Sequence, residues 1–158
     1  MIFREAQISD IEQMMIVRLS VKENILSNPS LVTYEDMVEY LTIRGKGWVC
    51  EINNTIVGFS IGDLKGNSVW ALFILPQSEG KGIGKKLQTL MLNWYFEKTT
   101  KNIWLETAAD TRAEKFYKTT GWKETERNKR QPSNSAFPPF VEVKLELSKK
   151  NWKKNNTF

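Results

Sequence analysis

Histidine is absent from the 158-residue sequence, and cysteine occurs once, at Cys50. Without histidine the chain cannot build a Ser-His-Asp or Cys-His nucleophile system or a histidine-based metal site. A single cysteine cannot form a disulfide within the chain, which is typical of a reducing cytoplasm, and Cys50 is expected to be a small core residue. Acid–base chemistry must therefore use carboxylates, tyrosine, lysine, cysteine or water.

Long apolar runs are also missing from the sequence. No stretch of about 18 uncharged apolar residues occurs, so we expect no membrane-spanning helix and no membrane partner. The first ten residues include Glu5 and Asp10 and no apolar run, which is not typical of a signal peptide. Apolar residues make up 41% of the chain and charged residues 26%, which excludes collagen-like, disordered and disulfide-scaffold classes. We expect a cytoplasmic globular protein.

The net charge of +5 is unevenly placed along the chain. Residues 148–158 hold four lysines and no acid, so the preceding 147 residues carry 19 basic and 18 acidic side chains. We therefore expect a single domain over residues 1–147 and a basic, flexible tail over residues 148–158. The alternative for the tail is a role in gripping an anionic partner.

Hydrophobic periodicity predicts a mixed α/β domain with the element order β-α-α-β-β-β-α-β-α-β-β. A capping box at Ser9 and Glu12 is expected to begin the first helix, and one at Thr33 and Asp36 the second. The apolar run Val69 to Leu75 predicts a central strand covered on both faces. A proline- and serine-rich stretch over residues 131–139 predicts a loop.

A glycine-rich segment, Gly80-Lys81-Gly82-Ile83-Gly84, follows the central strand and leads into a helix. Glycines between a strand and a helix let backbone N–H groups turn toward a ligand, and the new helix adds its free donors, which makes an anion cradle. A P-loop needs glycine at Glu79 and a hydroxyl at Lys86, and a Rossmann fingerprint needs glycine at Lys85 or Leu87. Neither pattern fits, so the phosphate ligand is of another kind.

Two motifs resemble those of the GNAT superfamily of N-acetyltransferases. The run Leu72 to Pro76, followed by Gly80 to Leu87, is similar to the family's acetyl-CoA loop. The family pattern N-x-x-A-x-x-F-Y-x-x-x-G-[F/W] is matched at Asp110, Ala113, Phe116, Tyr117, Gly121 and Trp122. The element order over residues 1–147 is similar as well. The resemblance implies the acyl-CoA N-acyltransferase fold, a central, mostly antiparallel sheet with helices on both faces.

The resemblance also implies acetyl-CoA as co-substrate, with no metal. It would lie in a split between the strand before the glycine loop and the next strand. The implied cofactor-binding residues are Leu72, Phe73, Ile74, Gly80, Lys81, Gly82, Ile83, Gly84, Lys85, Asp110 and Tyr117. The chain departs from the family pattern at two positions in or next to this set. The family usually has Arg or Gln where Glu79 stands, and Asn where Asp110 stands.

The reaction that the resemblance implies is direct attack of a neutral primary amine on the thioester, with Tyr117 as the general acid. Glu106 or water would be the base. Glu51, Asp63 and Glu79 are weaker candidates for the base.

The sequence does not name the acceptor, which could be a small-molecule amine or a protein amine. Trp48 and Trp70 lie near the expected acceptor cleft, and one of them could line it. Arg18 and Arg44 are expected to form surface ion pairs, the alternative being contact with an acidic group of the substrate.

The residues leave two rival functions open. One is a CoA-binding sensor without turnover, favoured by the changes at Glu79 and Asp110. The other is a polyanion-binding protein acting through its basic tail, against which the nearly neutral charge of residues 1–147 argues. A homodimer is expected from the resemblance alone.

Overall fold

The computed structural model describes residues 1–21, 32–131 and 138–155. Their strands form one sheet in the order β1-β2-β3-β4-β5-β7-β6, in which the pair β4–β5 is parallel and the other neighbours are antiparallel. The strands are β1 (Ile2–Glu5), β2 (Gly45–Ile52), β3 (Thr55–Asp63), β4 (Ser68–Ile74), β5 (Ile103–Ala108), β6 (Lys123–Arg130) and β7 (Phe140–Leu147). The mostly antiparallel mixed sheet expected from the sequence is confirmed.

Helices cover both faces of the sheet, as predicted. They are α1 (Ile11–Ser20), α2 (Tyr34–Glu39), α3 (Ile83–Lys98), α4 (Arg112–Thr119) and α5 (Lys149–Asn155). Successive residues of a strand point to opposite faces, and β2 accordingly sends Val49 into one core and Cys50 into the other. The core around Val49 includes side chains from α1 and α2, and the core around Cys50 includes side chains from α3, α4 and α5. Cys50 is fully buried, as expected.

The two predicted capping boxes differ in outcome. The one at α2 is confirmed, because the Asp36 N–H donates to Thr33 Oγ1 (3.1 Å) and the Thr33 N–H donates to Asp36 Oδ2 (2.9 Å). The one at Ser9 is wrong, because a 3-10 turn, Ile8–Asp10, precedes α1. There the Asp10 carboxylate accepts the Gln7 N–H at 2.8 Å, which is the part predicted for Glu12, so the cap lies at Gln7, two residues before Ser9.

The end of the chain differs from the expected flexible tail. Residues 149–155 form α5, and Trp152 in this helix is only 4% exposed. Its indole Nε1 donates to Asn93 Oδ1 of α3 at 3.0 Å, and the Ser148 hydroxyl accepts the Asn151 N–H at the start of the helix. Burial of the indole therefore docks the lysine-rich segment on the domain.

Two further expectations concern the loop over residues 131–139 and the absence of a membrane-spanning helix. The predicted loop over residues 131–139 lies mostly outside the described residues, which resume at Pro138. Within the described ranges, no helix has both the length and the apolar character needed to cross a bilayer.

Candidate active site

A split opens in the middle of the sheet, between β4 and β5. The two strands are paired only where Ser68 lies opposite Trp104, near the start of each strand. Beyond that point β5 continues to pair with β7, and β4 continues to pair with β3. Over residues 69–74, the backbone N–H and C=O groups on the edge of β4 that faces β5 therefore have no hydrogen-bond partners in β5. The split predicted from the family resemblance is confirmed.

The closed end of the split is fixed by the start of β5. The Trp104 N–H donates to the Asn67 carbonyl, and the Trp104 indole Nε1 donates to the Gly66 carbonyl, each at 2.9 Å. Both bonds join β5 to the turn that precedes β4. The strands are thus held together at this end and diverge toward the glycine loop, where α3 begins.

The glycine loop presents backbone donors to the open end of the split. Gly80 and Gly82 have φ values of +78° and +80°, a region that residues with a side chain rarely adopt, and a Cβ at either position would meet no heavy atom within 4 Å. The first backbone hydrogen bond of α3 runs from the Lys86 N–H to the Gly82 carbonyl (3.2 Å). The N–H groups of residues 83–85 therefore have no partner within the helix and lie at its positive end.

A cavity of about 540 Å³ lies between the edge of β4, the glycine loop and α4. The predicted cofactor contacts that line it are Leu72, Phe73, Ile74, Gly80, Gly82, Ile83, Gly84, Lys85 and Tyr117. Among the described residues, Lys81 and Asp110 are predicted contacts that do not line it. Asp110 lies in a left-handed turn (φ +61°), and its N–H donates to Glu114 Oε1 at 2.7 Å.

Glu79, the acid that departs from the family pattern, lines this cavity together with Arg112. The two side chains form an ion pair between the glycine loop and the first turn of α4. Lys85 and Lys115 lie on the same wall, so the cavity retains a positive balance despite the acid. Sequence reasoning missed Arg112, although it stands two residues after Asp110 inside the second motif. The signal was Glu79 itself, since an acid beside an anion site requires a nearby cation.

A second cavity, of about 330 Å³, lies on the other side of the split, between β4, β5, β7 and α1. Both cavities are lined by Val21, Leu72, Phe73, Ala113 and Tyr117. Trp70 and Glu106 line this second cavity, as do Arg18 and Glu142. The structure therefore brings the two predicted catalytic residues, Tyr117 and Glu106, to one cavity.

Tyr117 stands at the junction of the two cavities. It is 6% exposed, and its ring packs edge-on against Phe116 and Trp122 at centroid distances of 5.2 and 5.4 Å. Within the described residues, no group hydrogen-bonds its hydroxyl. Burial raises the pKa of Tyr117 above that of a free phenol. The side chain is thus a protonated donor that faces a cavity and lacks a protein acceptor.

Glu106 lies on β5 beside a second carboxyl group, Glu142 of β7. A hydrogen bond with Glu142, partial burial and the negative charge of Glu142 together raise the pKa of Glu106 above its ordinary value. The nearby cations Arg130 and Lys144 oppose this rise. Glu106 therefore holds a proton to a higher pH than an ordinary surface glutamate, which makes it a stronger base when ionised.

The weaker candidates for the base are engaged elsewhere. Glu51 accepts a hydrogen bond from Arg4 at 2.8 Å, on the far side of β2 from the split. Asp63 is 3% exposed and accepts hydrogen bonds from Arg44 and from the Gly66 N–H at the start of the β3–β4 turn. Neither carboxylate lines either cavity within the described part of the chain.

The aromatic wall of the second cavity is Trp70. It stacks on Tyr40 with ring centroids 4.0 Å apart and planes at 11°. The Arg44 guanidinium lies over the Tyr40 ring, 5.1 Å from its centroid. Arg44 pairs with Asp63, as expected, whereas Arg18 is buried at the second cavity rather than at the surface. Trp48, the other candidate, packs against Trp94 in the core.

Comparison with known proteins agrees with this geometry. Residues 18–122 match the model of the acetyltransferase (GNAT) family. Among solved structures, the ribosomal-protein-alanine N-acetyltransferase of Brucella melitensis is 17% identical, with a TM-score of 0.77 over 94% of this chain and 99% of that one. The ribosomal-protein-S18-alanine N-acetyltransferase of Escherichia coli is 13% identical, with a TM-score of 0.77 over 93% and 92%.

A third similar structure was solved with its cofactor acetyl-CoA. It is yncA, a putative acetyltransferase of Salmonella typhimurium, which is 15% identical with a TM-score of 0.77 over 94% of this chain and 93% of that one. No curated protein matches the chain in sequence. At these identities the structures show a shared fold, and the family model shows the membership.

Proposed function

The chain belongs to the GNAT family of acetyltransferases, and from this we propose that it transfers an acetyl group from acetyl-CoA to a primary amine by direct attack. Tyr117 is the general acid in this proposal, and Glu106, directly or through water, is the base. The observation that carries it is the split between β4 and β5, where both side chains line one cavity and Tyr117 also lines the next.

The larger cavity suits acetyl-CoA, which supplies an acetyl group already activated as a thioester. The free edge of β4 at Phe73 and Ile74 offers backbone donors and acceptors to an extended chain of amides. The donors of the glycine loop, at the positive end of α3, suit a pyrophosphate. A cavity of about 540 Å³ that also carries Lys85 and Lys115 fits an anionic, elongated ligand.

Tyr117 acts as the acid because burial keeps its phenol protonated over the pH range in which enzymes are assayed. Its hydroxyl faces the junction of the cavities and, within the described residues, is not committed to a protein acceptor. A departing thiolate there would receive the proton. Positioned proton donors contribute on the order of 10²–10⁴ in rate.

Glu106 acts on the other side of the junction. A primary amine arrives mostly as an ammonium ion at neutral pH, since a lysine amine has a pKa of about 10.4 and a peptide N-terminus one of about 7.7–8.0. The carboxylate attracts this cation into the second cavity and takes a proton from it, which leaves the neutral amine that attack requires. Glu106 is exposed to solvent, so the proton can be passed on to water.

The acceptor amine belongs to a small molecule or to a protein. Two of the similar structures are enzymes named for the alanine of a ribosomal protein. A peptide with a free N-terminus is therefore among the first acceptors to try with this chain. A homodimer and a cytoplasmic location stay predictions from the sequence.

The sensor alternative is weakened by the pairing of Glu79. The acid was unexpected beside a phosphate site, but its ion pair with Arg112 offsets the charge. A sensor would bind acetyl-CoA without turnover and would need no acid or base at the junction. The polyanion alternative loses the free tail on which it depended, because Trp152 of α5 is buried.

Turnover separates these functions. Thiol release from acetyl-CoA is measured with a panel of primary amines and peptides with free N-termini, and acetylated products are identified by mass spectrometry. We expect amine-dependent release that falls about 10²-fold in Glu106→Gln and persists in Glu97→Gln, a control at an exposed position near the end of α3. Binding of acetyl-CoA without release by any amine would favour the sensor.

A further inference from the structure

Glu142 lies beside Glu106 on the wall of the second cavity, and sequence reasoning did not single it out. In the antiparallel pair of β5 and β7, Glu106 lies opposite Lys144 and Ala108 lies opposite Glu142. Glu106 and Glu142 are therefore diagonal neighbours on one face of the sheet, within reach of each other's carboxyl groups. Both side chains line the same cavity as Tyr117.

The two carboxyl groups are not equivalent, because a cation is paired with one of them. Arg130 of β6 donates from Nε to Glu142 Oε1 at 2.9 Å. Within the described residues Glu106 forms no such ion pair, so it is the carboxyl group of the two that is open to an incoming cation.

We propose that Glu142 is a positioning residue that makes Glu106 the proton acceptor for the incoming amine, so that the two carboxyl groups act as one pair. This inference rests on the proposed function. Glu142 is held by Arg130 and lies diagonally beside Glu106 on the same cavity wall, so it fixes the place of the Glu106 carboxyl group. Its charge also makes Glu106 retain a proton once it has taken one.

The Tyr117 side chain supports this assignment independently of the carboxyl pair. It is 94% buried, faces the cavity and has no hydrogen-bond partner within the described residues. Its hydroxyl is therefore available to a polar ligand in the cavity. An amine between Tyr117 and the carboxyl pair has a proton donor on one side and proton acceptors on the other.

Other charged groups face Glu106 from the elements around it. Lys144 of β7 and Arg130 of β6 both lower its pKa, and Glu142 raises it. Arg18 of α1 lines the same cavity. The proposal therefore makes opposite predictions for two neighbours. Loss of the Glu142 charge lowers the pKa of Glu106, and loss of Arg130 raises it.

The chain offers a closely matched control in Glu146. It lies on β7 opposite Trp104, so it is the other diagonal neighbour of Glu106 on the same sheet face. It does not line the second cavity among the described residues. A glutamine there removes the same charge from the same strand without touching the pair.

The experiment is a carboxyl titration of the free, full-length protein by carbon-13 NMR, with the Glu106 signal assigned by its loss in Glu106→Gln. We expect the pH at the midpoint of the Glu106 titration to be lower in Glu142→Gln, higher in Arg130→Met and unchanged in Glu146→Gln. The acid limb of the kcat/KM profile should move in the same directions, with the KM for acetyl-CoA unchanged. A Glu106 midpoint in Glu142→Gln equal to that of the wild type would overturn the inference.

The failure of the proposed function gives a different pattern. If Glu106→Gln loses activity about 10²-fold but Glu142→Gln leaves the titration unchanged, Glu106 is the base and acts without Glu142. If the titration moves as expected but Glu106→Gln keeps its rate, the base assignment is wrong and the role of Glu142 falls with it. Thermal melting of each variant shows that the titrations compare folded proteins.

Discussion

Replacing Tyr117 by phenylalanine removes one oxygen atom from the junction of the two cavities. Within the described residues that oxygen has no hydrogen-bond partner, so no protein contact is lost with it. The ring is 6% exposed and keeps its packing against Phe116 and Trp122. We therefore expect Tyr117→Phe to melt close to the temperature of the wild type, because no hydrogen bond within the described residues is lost.

Activity should respond quite differently. A positioned general acid contributes on the order of 10²–10⁴ in rate, so kcat should fall by about that factor. Since each factor of ten corresponds to 1.36 kcal/mol, the activation barrier should rise by about 2.7–5.4 kcal/mol. Affinity for acetyl-CoA should stay the same in calorimetry, since the ring that lines the cavity remains. Initial rates of thiol release, with the acceptor at saturation, measure the loss.

Tyr95→Phe supplies the opposite pattern as a control. The Tyr95 hydroxyl on α3 donates to Asn67 Oδ1 at 2.9 Å, away from both cavities. Its removal should cost about 1 kcal/mol of unfolding free energy and leave kcat unchanged. If Tyr117→Phe instead keeps kcat within threefold of the wild type, Tyr117 is not the acid and the proton must come from another group.

Three further changes test the loop, its rim and the C-terminal helix. Gly82→Val places a branched side chain at a φ of +80° in the open space before the loop, so calorimetry should show no binding of acetyl-CoA. Unchanged affinity would show that the loop is not the binding site. Arg112→Met should weaken acetyl-CoA binding about tenfold, whereas Glu79→Gln should not; equal effects of the two would mean that the ion pair only braces the loop. Trp152→Ala should cost about 3–5 kcal/mol in denaturant unfolding, and a loss below about 1 kcal/mol would mean that α5 does not dock in solution.

Local patterns in the sequence were sufficient for most of the fold. The apolar run of β4 and the capping box at Thr33 both depend on residues within a few positions of one another. The structure confirms a strand and a helix start there, although β4 is mostly half-buried rather than fully covered. The start of the first helix was missed because the N-cap is Gln7 rather than Ser9, and Asp10 rather than Glu12 accepts its backbone N–H. Glutamine is not among the preferred N-cap residues, so the sequence pattern favoured the serine.

Long-range contacts account for the remaining differences in the fold. The tail was predicted to be flexible because it is short and rich in lysine, yet Trp152 within it is buried and donates a hydrogen bond to another helix. Asn93, which binds the Trp152 indole, is 59 positions away in the chain. Nothing in the local sequence of either residue indicates that pairing.

The candidate site shows the same division. The glycine loop and Tyr117 were predicted from the sequence because each lies in a short contiguous motif whose residues are close in the chain. The pairs Glu79–Arg112 and Glu106–Glu142 were not found, because their members lie on different elements and meet only when the sheet forms. Lys81 and Asp110 were carried over with the motifs, but among the described residues neither lines the larger cavity.

Calorimetric titration of the full-length protein with acetyl-CoA tests the central claim most directly, because the split, the glycine loop and the first cavity all depend on it. We predict one binding site of micromolar affinity, much weaker binding of acetyl-pantetheine, which lacks the phosphates, and no binding of acetyl-CoA by Gly82→Val. Equal affinity for acetyl-CoA and acetyl-pantetheine, or no heat with either, would contradict the account.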